Sequence, residues 1–135
     1  MNDRKNSGRL LFGNQLIAEI SSAIEIQPVL DNAKLLTGVS DPLIFLENKF
    51  GDWLGLGISD VGCYVSSVHG PPYFSSLRRT PYEEAEFSFT LDAQGYITEQ
   101  PAWRIIPYDD LVTVALTFFE TGELDSSAID WERNG

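Results

Sequence analysis

A chain of 135 residues, 43% hydrophobic and 12% aromatic, is long enough to bury a core without a metal or disulfide and too apolar to stay disordered. Its single cysteine, Cys63, excludes an internal disulfide, and no run approaches the ~18 to 20 apolar residues of a membrane-spanning helix. The net charge of −11 disfavours nucleic acid and anionic membranes as partners and favours basic ones, although acidic surfaces also serve solubility.

Residues 1–8 are polar and are expected to be mobile, ahead of one domain over 9–135. The start, MNDRKNSGRLLFG, is basic, but Gly13, Asn14, Gln15 and Glu19 interrupt its apolar residues. It does not read as a signal peptide, and a cytoplasmic location is expected. Gln15 to Ile26 is apolar enough to be ordered but ambiguous in type. Pro28, followed by Val29, Leu30, Ala33 and Leu36, suits a short helix that ends at Gly38. PLIFLE, 42–47, reads as a buried strand.

The stretch WLGLGISDVGCYVSS, 53–67, predicts a hairpin with Ser59-Asp60 as its two-residue turn. In that register Leu54, Leu56, Ile58, Val61, Cys63 and Val65 share one face. Trp53, Gly55, Gly57, Gly62, Tyr64 and Ser66 share the other, with Tyr64 opposite Gly55. Cys63 is then a core residue. EEAEFSFTLDAQGYITEQ predicts a second hairpin turning at Asp92 to Gly95, with Phe87, Phe89 and Leu91 on its apolar side and Glu84, Glu86, Ser88 and Thr90 on the other. WRII, 103–106, is a further strand candidate, ended by Pro107. From Tyr108 the period becomes helical: Leu111, Val112, Val114, Ala115, Leu116, Phe118 and Phe119 form one stripe. Pro107 suits the first helical position, Asp109 and Asp110 complement the helix dipole, and Gly122 stops it. Ile129 and Trp131 then alternate with Asp130 and Glu132 in a last strand, with Trp131 buried. The fold class is α+β: an antiparallel sheet built from hairpins with helices packed on one face.

Chemistry is sparse. His69 is the only histidine, so neither a multi-histidine zinc site nor one of His plus cysteines can form. A Cys63–His69 dyad is disfavoured, because Cys63 faces the core and His69 lies in a turn-rich HGPP stretch. No phosphate-binding loop or nucleophile elbow occurs. The pairs Glu83-Glu84 and Asp109-Asp110 are neighbours that point apart, and RRTP, 78–81, is a small basic patch. The chain is read as a non-enzyme without cofactor or metal.

The acids are placed unevenly. Residues 1–79 hold eight acids and seven bases, whereas residues 80–135 hold twelve acids and two bases. Helix capping accounts for Asp109 and Asp110 but not for Glu123, Asp125, Asp130 and Glu132.

The order of segments is itself informative. A glycine-containing hairpin (DWLGLGISDVGCYVS) is followed by an aromatic strand (AEFSFT), then EQPAWRIIPYDDLVTVALTFFETGE, then IDWE. Over residues 43–133 this order resembles the immunity proteins of bacterial polymorphic-toxin systems, in the family usually encoded beside deaminase-fold toxins. That family often has Arg-Pro shortly after the helix-ending Thr-Gly, where this chain has Glu123, Leu124 and Asp125. The resemblance implies a single immunity-type domain that binds and neutralises a cognate toxin with a basic cleft. It implies no cofactor and no nucleic-acid or membrane partner. The residues expected to meet the toxin are Trp53, Tyr64, Glu84 and Glu86 on the sheet face opposite the core, and Asp60 in the hairpin turn. Glu123, Asp125, Asp130 and Glu132 after the helix complete the set. A helix packed over the Trp53 and Tyr64 face is the alternative for that surface. An acidic adaptor or scaffold module without a toxin partner is the alternative function, and a small hydrolase using paired carboxylates is a third.

Overall fold

In the computed structural model, which describes residues 7–68, 73–77 and 88–133, strand pairing begins at once. Gly8, expected in the mobile segment, instead opens β1 (Gly8–Phe12) and pairs with Ile20 of β2 (Gln15–Ile20). A 3-10 turn (Ala23–Glu25) leads into α1 (Ile26–Asp31) and α2 (Ala33–Thr37). The single helix expected here is broken at Asn32, whose side-chain amide donates to the Pro28 carbonyl at 2.8 Å. Asparagine offers the backbone a local alternative to the helix, which is why it sits at such breaks. Leu30 and Ala33 are buried, but after the break Leu35 and Leu36 both face water. Gly38 closes α2 in the left-handed conformation.

Three strands follow: β3 (Leu43–Glu47), β4 (Trp53–Ser59) and β5 (Gly62–Ser67). The turn between β4 and β5 is Asp60-Val61, one residue later than expected, so Tyr64 pairs with Gly57 rather than Gly55. Sliding a two-residue turn by one residue shifts the pairing by two and leaves the side-chain parity intact. Leu54, Leu56, Ile58, Cys63 and Val65 therefore still share a face, and only Val61 leaves it for the exposed turn.

Beyond β5 come β6 (Phe74–Leu77) and, from the far end of the chain, β9 (Asp130–Arg133). The antiparallel sheet runs β2-β1-β3-β4-β5-β6-β9. Regular pairing of β5 with β6 is confined to Ser66 and Ser75. Next to that point a side chain takes over: buried Ser76 accepts from the Val65 N–H at 3.1 Å and donates to the Arg104 carbonyl at 2.7 Å.

One face of the sheet packs on α3 (Tyr108–Thr121), with α1 beside it. The stripe lands as the period requires: Leu111, Val112, Val114, Ala115, Phe118 and Phe119 are buried, and Leu116 is partly so. Pro107 sits at the N-cap, one position before the first helical residue, and Asp109 and Asp110 occupy the first turn. At the other end Gly122 takes φ 77° and donates to the Phe118 carbonyl at 2.9 Å.

The opposite face is covered not by a helix but by the second hairpin, β7 (Ser88–Ala93) and β8 (Tyr96–Pro101), which forms its own two-stranded sheet. Phe89 and Leu91 point down onto Leu43 and Tyr64, with Ala102 and Ile105 completing a second core. The Tyr64 and Phe89 rings meet edge-on, centroids 6.3 Å apart. Gly57 permits the close approach, since a Cβ there would lie 2.5 Å from Leu91 Cδ1. WRII does not form the expected strand. Ala102–Arg104 is a 3-10 turn, and only Ile106 bridges to Cys63. Packed on both faces, β4 is buried from Leu54 through Ile58.

Candidate functional site

Of the nine residues expected to bind a partner, the seven that are described do not form one surface. Tyr64 is a correction: β7 lies on it, leaving it 5% exposed and turning its hydroxyl to Ser75 Oγ at 3.4 Å. Trp53 is half-buried on the same face, beyond the hairpin, and the Arg9 guanidinium stacks over its ring at 5.6 Å. Arg9 also pairs with Glu47 at 2.7 Å. Asp60 lies beyond the far end of β4 from Trp53, roughly 24 Å away at ~3.4 Å per residue. Glu84 and Glu86 lie outside the described residues, as do His69, Phe87, Glu83 and the RRTP stretch.

The acids after α3 divide by task. Asp125 accepts from the Ser127 N–H at 2.7 Å and hydroxyl at 2.6 Å, and its carbonyl accepts from Trp131 Nε1 at 3.0 Å. It shapes the loop that places Trp131, which is half-buried rather than buried. Glu132 receives Arg104 Nε at 3.1 Å and Trp103 Nε1 at 3.2 Å, tying β9 to the 3-10 turn. Glu123 and Asp130 stand exposed.

The geometry instead concentrates at the end of the molecule that carries Asp60. A groove of about 550 Å³ is lined by Leu30, Asp31, Asn32, Lys34, Leu35, Ile58 and Tyr108. Its floor is core: Leu30 and Ile58 are buried. Two polar bridges hold α1 and α2 to the body beside it, Lys34 Nζ to Asp60 and Tyr108 OH to Asp31. The Asp60 hydrogen bond raises the Lys34 pKa above the ordinary lysine value, with Asp41 adding to it. Burial first, and Asp31 second, push the Tyr108 phenol well above its usual range. Asp41 Oδ1 accepts from the Asp60 N–H at 3.2 Å, joining a second carboxylate to the rim. Leu35, 81% exposed, stands over the groove, and Val61, 53% exposed, follows Asp60 in the turn. Sequence reasoning named Asp60 here and missed the rest. The available signal was Leu35 itself, an apolar residue off the Val29, Leu30, Ala33, Leu36 stripe.

Cys63 is 3% exposed and its thiol is pushed up to about 12 by burial, so it is an inert core side chain. Among the described residues no group of His, Cys, Asp and Glu is placed to hold a metal ion. No helix among them is long and apolar enough to cross a membrane.

Residues 18–133 match the family described as Immunity protein Imm1. The chain belongs to that family. The Imm1 match takes in the end of β2 and both short helices as well as the later segments whose order first suggested an immunity protein. It also sets the class of function: Imm1 proteins are immunity proteins rather than enzymes, so the site to seek is a binding surface. No curated protein matches the chain, and no solved structure does.

Proposed function

We propose that this protein binds and neutralises a cognate bacterial toxin domain of deaminase fold that acts on nucleic acid, in the cytoplasm of the producing cell. The observation that carries the reading is membership of the Imm1 family over residues 18–133. The net charge of −11 supports the finer part. An enzyme that grips nucleic acid needs a basic cleft, and an acidic protein is attracted to one. Such a toxin would use a zinc-bound water with a glutamate as proton shuttle, and the inhibitor would act by covering that cleft or holding off the substrate.

Protection inside the producing cell demands tight binding. Nanomolar affinity corresponds to about 12 kcal/mol, more than a few exposed ion pairs supply. Apolar anchors therefore have to work beside the carboxylates. Asp60, Trp53, Glu123 and Asp130 remain at the surface as contact candidates, on separate parts of it. The test is co-expression with the C-terminal domain of the adjacent toxin gene, followed by sequencing of cellular nucleic acid. The expected result is loss of deamination marks when this protein is present. Undiminished deamination with the protein abundant and folded overturns the deaminase reading. A bound partner without deaminase activity would keep the immunity function and change the target.

A further inference from the structure

We propose that the toxin docks on the groove between α2, the β4–β5 turn and the start of α3, and presents there an apolar side chain flanked by Lys or Arg. This rests on the immunity reading above and names the surface and the partner chemistry it leaves open.

Apolar surface and depth coincide at this end of the molecule. Leu35 is 81% exposed on a helix of five residues, where nothing in the monomer requires a leucine. Val61 is 53% exposed in the neighbouring turn. Beneath Leu35 the groove reaches Leu30 and Ile58, so an entering side chain meets residues already packed as core. The polar groups at the opening are satisfied internally, Lys34 by Asp60 and Tyr108 by Asp31. An apolar guest therefore leaves both bridges in place. Anchors in pockets ringed by groups that exclude water are where binding energy concentrates.

Charge selects the occupant. Asp31, Asp60 and Asp41 surround the opening, and Asp109 lies beside Tyr108. Lys34 is the cation among the groove-lining residues, and it is committed to Asp60. A second copy of this chain is a poor fit, because a twofold contact brings a patch against itself and these carboxylates would face one another. A neutral partner would strip water from them without compensation. A partner carrying Lys or Arg around an apolar residue meets both demands. The Trp53 surface fits such a partner less well, since Arg9, paired with Glu47, already lies over the ring. The groove is also held ready: the two bridges fix α1 and α2 before binding, which lowers the ordering cost.

The experiment measures binding of the full chain to the C-terminal domain encoded by the adjacent toxin gene, by calorimetry, with oligomeric state followed by light scattering. The variants are Leu35→Arg, Leu35→Glu and Val61→Arg, with Ile97→Arg on the exposed side of β8 as control. All three sites are exposed, so melting temperatures should match the wild type. Leu35→Arg and Val61→Arg are expected to raise Kd by about 30-fold or more, the scale of an interface hot spot. Leu35→Glu should raise it less than Leu35→Arg, and Ile97→Arg by less than about threefold. If the wild type binds and neutralises while the groove variants bind equally well, the docking site is overturned and the immunity reading stands. Equal losses from Leu35→Glu and Leu35→Arg overturn the basic partner. A wild-type dimer that the groove variants break, with toxin binding retained, assigns the groove to a second copy and overturns the proposal. A wild type that does not bind the toxin domain overturns both readings.

Discussion

Asn48 is buried at the turn between β3 and β4, and both ends of its amide are used. Its Oδ1 accepts from the Phe50 N–H at 3.0 Å and the Asp52 N–H at 2.9 Å, and its Nδ2 donates to the Phe118 carbonyl at 3.1 Å. One side chain thus closes a turn and adds a second donor, beside the Gly122 N–H, to the Phe118 carbonyl in the last turn of α3. Replacing it by alanine removes the acceptor of the part-buried Phe50 and Asp52 N–H groups and a donor to the Phe118 carbonyl, and a partner left unsatisfied costs about 1 to 3 kcal/mol. Asn48→Ala is expected to lower stability by about 2 to 3 kcal/mol in urea unfolding; a loss under about 0.5 kcal/mol would mean that water replaces the amide fully. Cys63 makes a different statement, about pH. Burial raises its thiol from 9.0 to about 12 in the folded chain. The folded state then holds the proton more tightly than the unfolded one, so this contribution to stability is complete below pH 9 and declines as pH rises toward 12. The decline has a slope of up to about 1.4 kcal/mol per pH unit. Cys63→Val should flatten the alkaline limb of the stability curve, and the native thiol should react with a disulfide reagent no faster than the chain opens. Fast reaction at pH 8 would place the thiol at the surface.

Among the elements, the β7–β8 hairpin packs on the second and smaller of the two cores. It lies over β3 and β4 through Phe89 and Leu91, and Gly57 is what lets Leu91 settle there. Gly57→Val would also press on Tyr64 Cβ, which a Cβ at this position would approach to 3.2 Å. Overpacking of this kind costs about 1 to 3 kcal/mol, and it falls on one layer only. Amide exchange should therefore quicken in β7 and β8 while α3 keeps most of its protection; equal loss in both would mean that the two cores unfold as one unit. The same elements show what local pattern can and cannot reveal. The α3 stripe and the two faces of β4 were legible, because periods of 3.6 and 2 are written into each segment and survive a turn displaced by one residue. The cover on Tyr64 was not legible. Alternation in β7 marks Phe89 and Leu91 as buried, but whether that face extends the first sheet or lies across it depends on contacts distant in sequence. WRII was misread for a related reason: a short apolar run looks the same in a strand and in a turn packed on a core. The groove was the least legible feature, since Asp31, Asp41, Asp60 and Tyr108 come from four separate segments that approach only once the chain has folded.

At the scale of the whole molecule, the excess of acids is shared between local and long-range work. Asp109 and Asp110 sit in the first turn of α3, Asp125 shapes a loop, and Glu132 holds Arg104. Glu123 and Asp130 stay exposed, and Asp31 and Asp60 are exposed beside the groove. With a net charge of −11, the field around the protein is negative well beyond any single contact. That field acts on encounter more than on the finished complex. Between ~10 mM and ~150 mM salt the Debye length falls from about 30 Å to about 8 Å, which removes steering but leaves touching groups paired. If the partner is basic, the association rate should fall about 10-fold or more over that range, while the dissociation rate changes little because apolar anchoring resists salt. Stopped-flow mixing with the toxin domain across a salt series separates the two rates. A salt-independent association rate would assign the acids to solubility alone. A dissociation rate that climbs steeply with salt would instead give the affinity to exposed ion pairs, and Leu35 and Val61 would lose their role as anchors.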